Sequence, residues 1–142
     1  MDKGAHFYRC DFQVHSPRDL AWRGSSYTDP EERDAYADRF IQACRERGLD
    51  AVAITDHHDL CFFKYFQQAA ANEKTPEGND VPDEQKIVVF PGIELTLNIP
   101  CQAIVILDSD FPDTLLTQVL TVLAIAPSPD TDEKAAKVQR LD

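Results

Sequence analysis

Polar and apolar positions alternate over residues 8–14. Tyr8, Cys10, Phe12 and Val14 are apolar, while Arg9, Asp11 and Gln13 are polar, and His15 continues the polar set. A period of two is that of a strand, so the pattern predicts a first strand with Asp11, Gln13 and His15 on one face. A polar loop over 21–29 follows. Asp29-Pro30-Glu31-Glu32 then has the form of a helix start, with Asp29 as cap, Pro30 in the first helical position and Glu32 completing a capping box. Tyr36, Phe40, Ile41 and Cys44 give one apolar stripe, and Gly48 marks the stop. The run Ala51-Val52-Ala53-Ile54-Thr55 predicts a strand buried on both faces. A second helix is expected over 62–72 and an exposed loop over 73–85. Further strands are expected over 86–90 and 101–107, with a turn over 108–113 and a third helix over 114–123. From Ala126 onward no apolar face is visible, which reads as a polar tail or the start of a missing region.

The order β-α-β-α-β-β-α predicts an α/β fold with parallel strands, right-handed crossovers and flanking helices. The expected organisation is one α/β domain over 1–125, followed by the polar stretch 126–142. The chain has 142 residues, of which 43% are hydrophobic, enough for one core. No apolar run approaches the roughly 20 residues of a membrane span. The N-terminus lacks the basic-then-apolar profile of a signal peptide, so the expectation is a cytoplasmic protein without a membrane. The net charge of −11 argues against a generic nucleic-acid surface. It does not exclude metal-dependent phosphoester chemistry, because a bound cation supplies local positive charge. Cys10, Cys44, Cys61 and Cys101 contain no CxxC pair, and three lie in apolar stretches, so buried free thiols are expected.

In parallel α/β sheets, ligands bind at the carboxyl ends of the strands. The first such end carries Gln13 and His15, the second Asp56 and His57, and the third Glu94. Singly, each has an ordinary reading. His15 could bond a backbone carbonyl, Asp56 could cap a helix, and Glu94 could be a solvated loop acid. His57 and His58 point in different directions, so at most one faces inward. Their coincidence at three strand ends favours a polar site. A His, Asp and Glu set is the usual ligand chemistry for Zn, Mn or Fe.

The segments Asp11-Phe12-Gln13-Val14-His15-Ser16, Thr55-Asp56-His57 and Pro91-Gly92-Ile93-Glu94 occur in that order. They resemble the first three motifs of the polymerase and histidinol phosphatase (PHP) superfamily, over about residues 7–107. The resemblance implies a distorted (β/α)7 TIM-like barrel holding two or three divalent metals, of which this chain would form a partial barrel. It implies hydrolysis of phosphoesters, with nucleotides and nucleic acid among the substrates. Carried over by position, His15 and His57 are implied metal ligands, Glu94 a metal-bridging carboxylate and Asp56 the acid of the second motif. Asp56 and His57 are thus the implied catalytic pair. Asp11 is implied to support the ligands from behind, and Asp19 lies near the region supplying a further ligand.

Two departures stand out. Gln13 occupies the place of the first motif histidine, where an amide is at best a weak ligand. Gln102 lies near where another histidine is expected. The later ligands of the family are absent, and a full barrel usually needs roughly 200 residues or more. An opening with Gln in that place resembles PHP modules fused to SMC- or AAA-like ATPases, so an ATPase domain is an implied neighbour. The open edge of a half barrel at the fourth strand, 101–107, is expected either to pair with a partner chain or a second copy or to be covered by the helix over 114–123. The leading expectation is therefore a metal-dependent phosphoesterase or nuclease module, incomplete in this chain. The rivals are a degenerate PHP module that binds a partner, nucleotide or nucleic acid without hydrolysis, and a non-catalytic α/β interaction domain.

Overall fold

The computed structural model describes residues 4–135, 138, 140 and 141. The strands are β1 (Cys10–Val14), β2 (Ala51–Ile54), β3 (Val88–Thr96) and β4 (Gln102–Ile106). The helices are α1 (Pro30–Glu46), α2 (Phe63–Ala71) and α3 (Asp113–Val122), with a short 3₁₀ turn at Asp83–Gln85 inside the expected loop. The sheet order is β1-β2-β3-β4, so β1 and β4 are its edges. β1, β2 and β3 are parallel, while β4 runs antiparallel to β3. The expectation of an all-parallel sheet is corrected here. Only residues 97–101 separate β3 from β4, which suffices for a hairpin and not for a crossover.

Local signals account for α1. The Asp29 carboxylate accepts the amide hydrogens of Glu31 (2.8 Å) and Glu32 (3.4 Å). At the other end Gly48 adopts φ = +66°, the left-handed region, where a side chain is strained. Leu49 N then donates to Cys44 O and Gly48 N to Arg45 O, the paired bonds of a Schellman stop. Ala37, Ile41 and Cys44 bury against α2 and the sheet. Phe62, Phe63 and Phe66 at the start of α2 are at most 1% exposed and fill the layer between helices and strands.

β3 is longer than the expected strand 86–90. Its first half pairs β2 up to Ile54–Pro91, and from Gly92 on it pairs β4. Proline has no N–H to donate, but Pro91 faces β4, where its carbonyl accepts Leu107 N at 2.8 Å, so the β2-side bonds of Val88 and Glu94 are kept and the strand continues. Gly92 permits this handover. A Cβ there would lie 2.8 Å from Thr55 Cγ2 and 3.1–3.2 Å from the carbonyls of Val105 and Ile54.

β1 also departs from strict alternation. Its register slips between Asp11 and Val14, a bulge. Asp11 pairs level with Val52 on the helix side, where its charge acts on the buried Cys44 thiol. Phe12 and Gln13 reach instead the face bearing Phe90 and Glu94. The row Asp11, Gln13 and His15 is therefore not one face. The helix-covered side carries Val52, Ile54, Val89, Ile93 and Leu95 in the core. On the other side Phe12, Val88, Ile104 and Ile106 stay 39–43% exposed.

Among the described residues, the stretch after Ala126 contains no helix or strand but is tied to the body. Arg18 and Arg33, each 1% exposed, donate to the carbonyls of residues 128–132. All four cysteines are free, but only Cys44 is buried, while Cys10 and Cys101 are exposed on edge positions. Among the described residues no helix is long and apolar enough to cross a membrane.

Candidate metal centre

The site lies where the chain leaves β1 and β2 and runs beside β3. His15 follows β1 directly, and Thr55 N donates to Val14 O at 2.8 Å, holding the two strand ends together. Beyond β2, Glu94 N donates to Asp56 O and His58 N to Glu94 O, so His57 sits in a parallel bridge opposite Glu94. Glu94 is thus inside β3, not in a loop after it.

Three side chains converge there. His15 Nε2 is 3.2 Å from Glu94 Oε2, and His57 Nε2 is 3.5 Å from Glu94 Oε1. Behind them, Asp19 Oδ2 lies 2.9 Å from both His15 Nδ1 and His57 Nδ1. It also accepts His57 N at 2.7 Å, while Ala21 N donates to Asp19 Oδ1 at 2.6 Å. Burial pushes the Asp19 carboxyl up. The backbone N–H of His57, the His15 ring, the Ala21 N–H and the His57 ring together outweigh it and hold the group down at about 2. Asp19 is therefore ionised and can only accept, so each Nδ1 carries the hydrogen. In the neutral rings this leaves both Nε2 lone pairs directed at the Glu94 carboxylate.

Two Nε2 atoms facing one carboxylate at 3.2 and 3.5 Å call for positive charge between them, which a bound metal ion or a proton on a ring supplies. Ligand atoms about 2.0–2.1 Å from a tetrahedral ion are roughly 3.3 Å apart; the 3.2 and 3.5 Å separations are of that size, each to a different oxygen of Glu94, and one ligand atom from each of the three residues lies within 4.8 Å of the others. His15, His57 and Glu94 thus fit a divalent ion, with two imidazoles and one carboxylate leaving a fourth position for water or substrate. His15, Asp19 and Asp56 also lie close together, but their oxygens already accept hydrogen bonds.

The other candidates fall around this trio. Asp19, expected among the ligands, orients both rings from behind, the usual task of a carboxylate hydrogen-bonded to a ligating histidine. Asp56 is 1% exposed and accepts Ser16 N and Ser16 Oγ, both at 2.6 Å. Burial pushes its carboxyl up to about 7 against those two hydrogen bonds, with the Asp19 and Asp59 charges adding to the rise. Gln13 Nε2 donates to Glu94 Oε2 at 3.1 Å, and Gln102 Nε2 stands 3.3 Å from His57 Nε2. Asp11 has no contact with the trio; its carboxylate accepts Gln13 N at 3.2 Å. His58 takes a left-handed backbone, φ = +55°, and accepts Thr96 N on Nε2, so it anchors β3 and does not face the site.

Reading the sequence missed the support beneath the site. Lys134 Nζ donates to the carbonyls of Pro17 (2.7 Å) and Asp19 (3.2 Å), and Ala135 N to Arg18 O. Arg18 Nε donates to Asp59 at 2.8 Å. The segment 128–135 thus clasps the loop that carries Asp19. Its acceptors are mostly main-chain carbonyls, which leave no signal in a sequence.

Compared with family models, curated proteins and solved structures, the chain finds no match.

Proposed function

We propose that this chain is a PHP-type metal-dependent phosphoesterase module, with one divalent ion, Zn, Mn or Fe, held by His15, His57 and Glu94. The observation that carries the reading is the convergence of two imidazole Nε2 atoms on one buried carboxylate at close to ligand-to-ligand distance. A bound ion there supplies charge for a phosphoryl oxygen and acidifies a coordinated water. The protein's own groups prepare that chemistry. Asp19 holds both rings in the tautomer that presents Nε2. Asp56 fixes Ser16, and through it the turn next to His15, and so acts as a positioning residue. Gln102 offers an amide beside His57 that can hold a substrate oxygen.

One observation favours a second reading, a module that binds nucleotide, nucleic acid or a partner without hydrolysis. Gln13 directs an amide N–H at Glu94 Oε2, the oxygen a metal needs, and supplies no imidazole of its own.

Metal analysis of the purified protein and of His57→Ala tests the site, and hydrolysis of a generic phosphodiester with added Zn or Mn tests the reaction. The expected result is weak binding and slow turnover, both lost in His57→Ala. Equal metal content in the two proteins would remove the proposal. Metal binding without any turnover would select the second reading.

A further inference from the structure

Beside the cluster, the chain near Leu141 closes onto the β3–β4 hairpin. Leu141 bridges Leu97 in parallel, with Leu141 N donating to Thr96 O at 3.0 Å and Asn98 N to Leu141 O at 2.6 Å. This pairing brings Arg140 to an open cavity of about 260 Å³, lined also by Thr96, Leu97, Ile99 and Gln102. Arg140 is the only charged residue in that lining among the described residues. Among the described residues, Arg140 makes no ion pair and no hydrogen bond. That is notable in a chain with 25 acidic and 14 basic residues. Gln102 belongs to both places, lining the cavity and standing 3.3 Å from His57 Nε2.

We propose that Arg140, Gln102 and Thr96 form an anion subsite that takes a phosphate group next to His57. A guanidinium is always charged and presents a planar fork that matches two oxygens of a phosphate. The Gln102 amide and the Thr96 hydroxyl add neutral donors, more than the two oxygens of a carboxylate use and suited to the further oxygens of a phosphate. The cavity is smaller than the roughly 300–1,000 Å³ of sites for drug-sized ligands, which fits a small headgroup whose remainder lies outside. The subsite rests on the hydrolase reading for its use, and on the cavity alone for its binding.

Titration of chelator-treated, 15N-labelled full chain with inorganic phosphate at constant ionic strength tests it. Saturable amide shifts are expected at Leu97, Asn98, Cys101 and Gln102, weakened at least ten-fold in Arg140→Gln and not produced by acetate. Shifts unchanged in Arg140→Gln, shifts centred elsewhere, or equal binding of acetate would each overturn the subsite. Zinc titration of the same protein and of His57→Ala reads the cluster separately. Phosphate binding without zinc binding would sink the hydrolase reading and keep the subsite; the reverse would do the opposite.

Discussion

His15 and His57 stack with ring centroids 4.9 Å apart and planes 21° from parallel, and both turn Nδ1 to the same oxygen of Asp19. One buried carboxylate therefore sets the tautomer of two rings that come from different strands. Asp19→Asn removes that acceptor's charge and lets either ring present its other nitrogen. Metal affinity is expected to fall about 10–100-fold, the usual effect of losing such a partner. Competition against a zinc chelator measures the fall. Long-range 1H–15N spectra of the imidazoles read the tautomer directly, with Nε2 unprotonated in the parent protein and mixed states in the variant.

Strand ends in a parallel sheet share one rim, and that rule gathers Gln13, His15, Asp56, His57 and Glu94 together; only the motif resemblance singles out His15, His57 and Glu94 among them, and Glu94 lies within β3 rather than at its end. Asp19's place behind the rings was not legible, since it depends on how residues 16–19 turn under the clasp of residues 128–135. Helix α1 was legible from Asp29, Pro30 and Gly48, which act within their own neighbourhood. The length of β3 was not. Pro91-Gly92 carries the local signs of a strand's end, and only the close approach of β4 and Thr55 turns it into a handover between two partners. The bulge in β1 was hidden for a similar reason: it satisfies pairing with β2 and contact with Glu94 at once, and neither is local.

Gln13→His should strengthen metal binding. The present amide donates to Glu94 Oε2 at 3.1 Å and so competes with a cation for that oxygen. An imidazole in its place removes the competing donor and offers a lone pair, a better ligand for Zn, Mn or Fe than a neutral amide. At least a ten-fold gain in zinc affinity, or a second equivalent bound, is expected by calorimetry. No change would mean that residue 13 does not reach the ion.

Arg18 is the anchor of the clasp. Its guanidinium pairs with the buried Asp59 and donates to the carbonyls of Ser128, Pro129, Asp130 and Asp132. Arg18→Met leaves the Asp59 charge and those carbonyls without it, and should destabilise the chain by about 3–5 kcal/mol. Urea unfolding measures the loss. Part of it should return in the double variant Arg18→Met/Asp59→Leu, because the uncompensated carboxylate is then gone.

Gly92→Ala tests the handover in β3. The added methyl meets Thr55 Cγ2 at 2.8 Å and two carbonyl oxygens at 3.1–3.2 Å. Backbone on both sides cannot give way cheaply, so a loss of about 1–3 kcal/mol is expected, as for other overpacked positions. Because Glu94 lies two residues along the same strand, zinc affinity should fall in parallel. A variant as stable as the parent would show that β3 and β4 separate more easily than this geometry requires.

Asp56 and Asp19 give metal-free protein opposite pH responses. The Asp19 carboxyl, held at about 2, lies below its unfolded value near 3.9. Its contribution is present above pH 4 and is lost as pH falls toward 2. Burial raises Asp56 to about 7, so the folded state favours its protonated form. That contribution is complete below about pH 4 and is lost as pH rises through 7. Between pH 4.5 and 7.5, in chelator, stability should therefore decline with pH, by on the order of a few kcal/mol if Asp56 acts alone. Asp56→Asn keeps an oxygen for Ser16 N, and its amide can donate to Ser16 Oγ in place of the present bond. It carries no titrating group, so its urea midpoint should be nearly flat over the same range and should exceed the parent's at pH 7.5. A parent slope that survives in Asp56→Asn would assign the titration to another group.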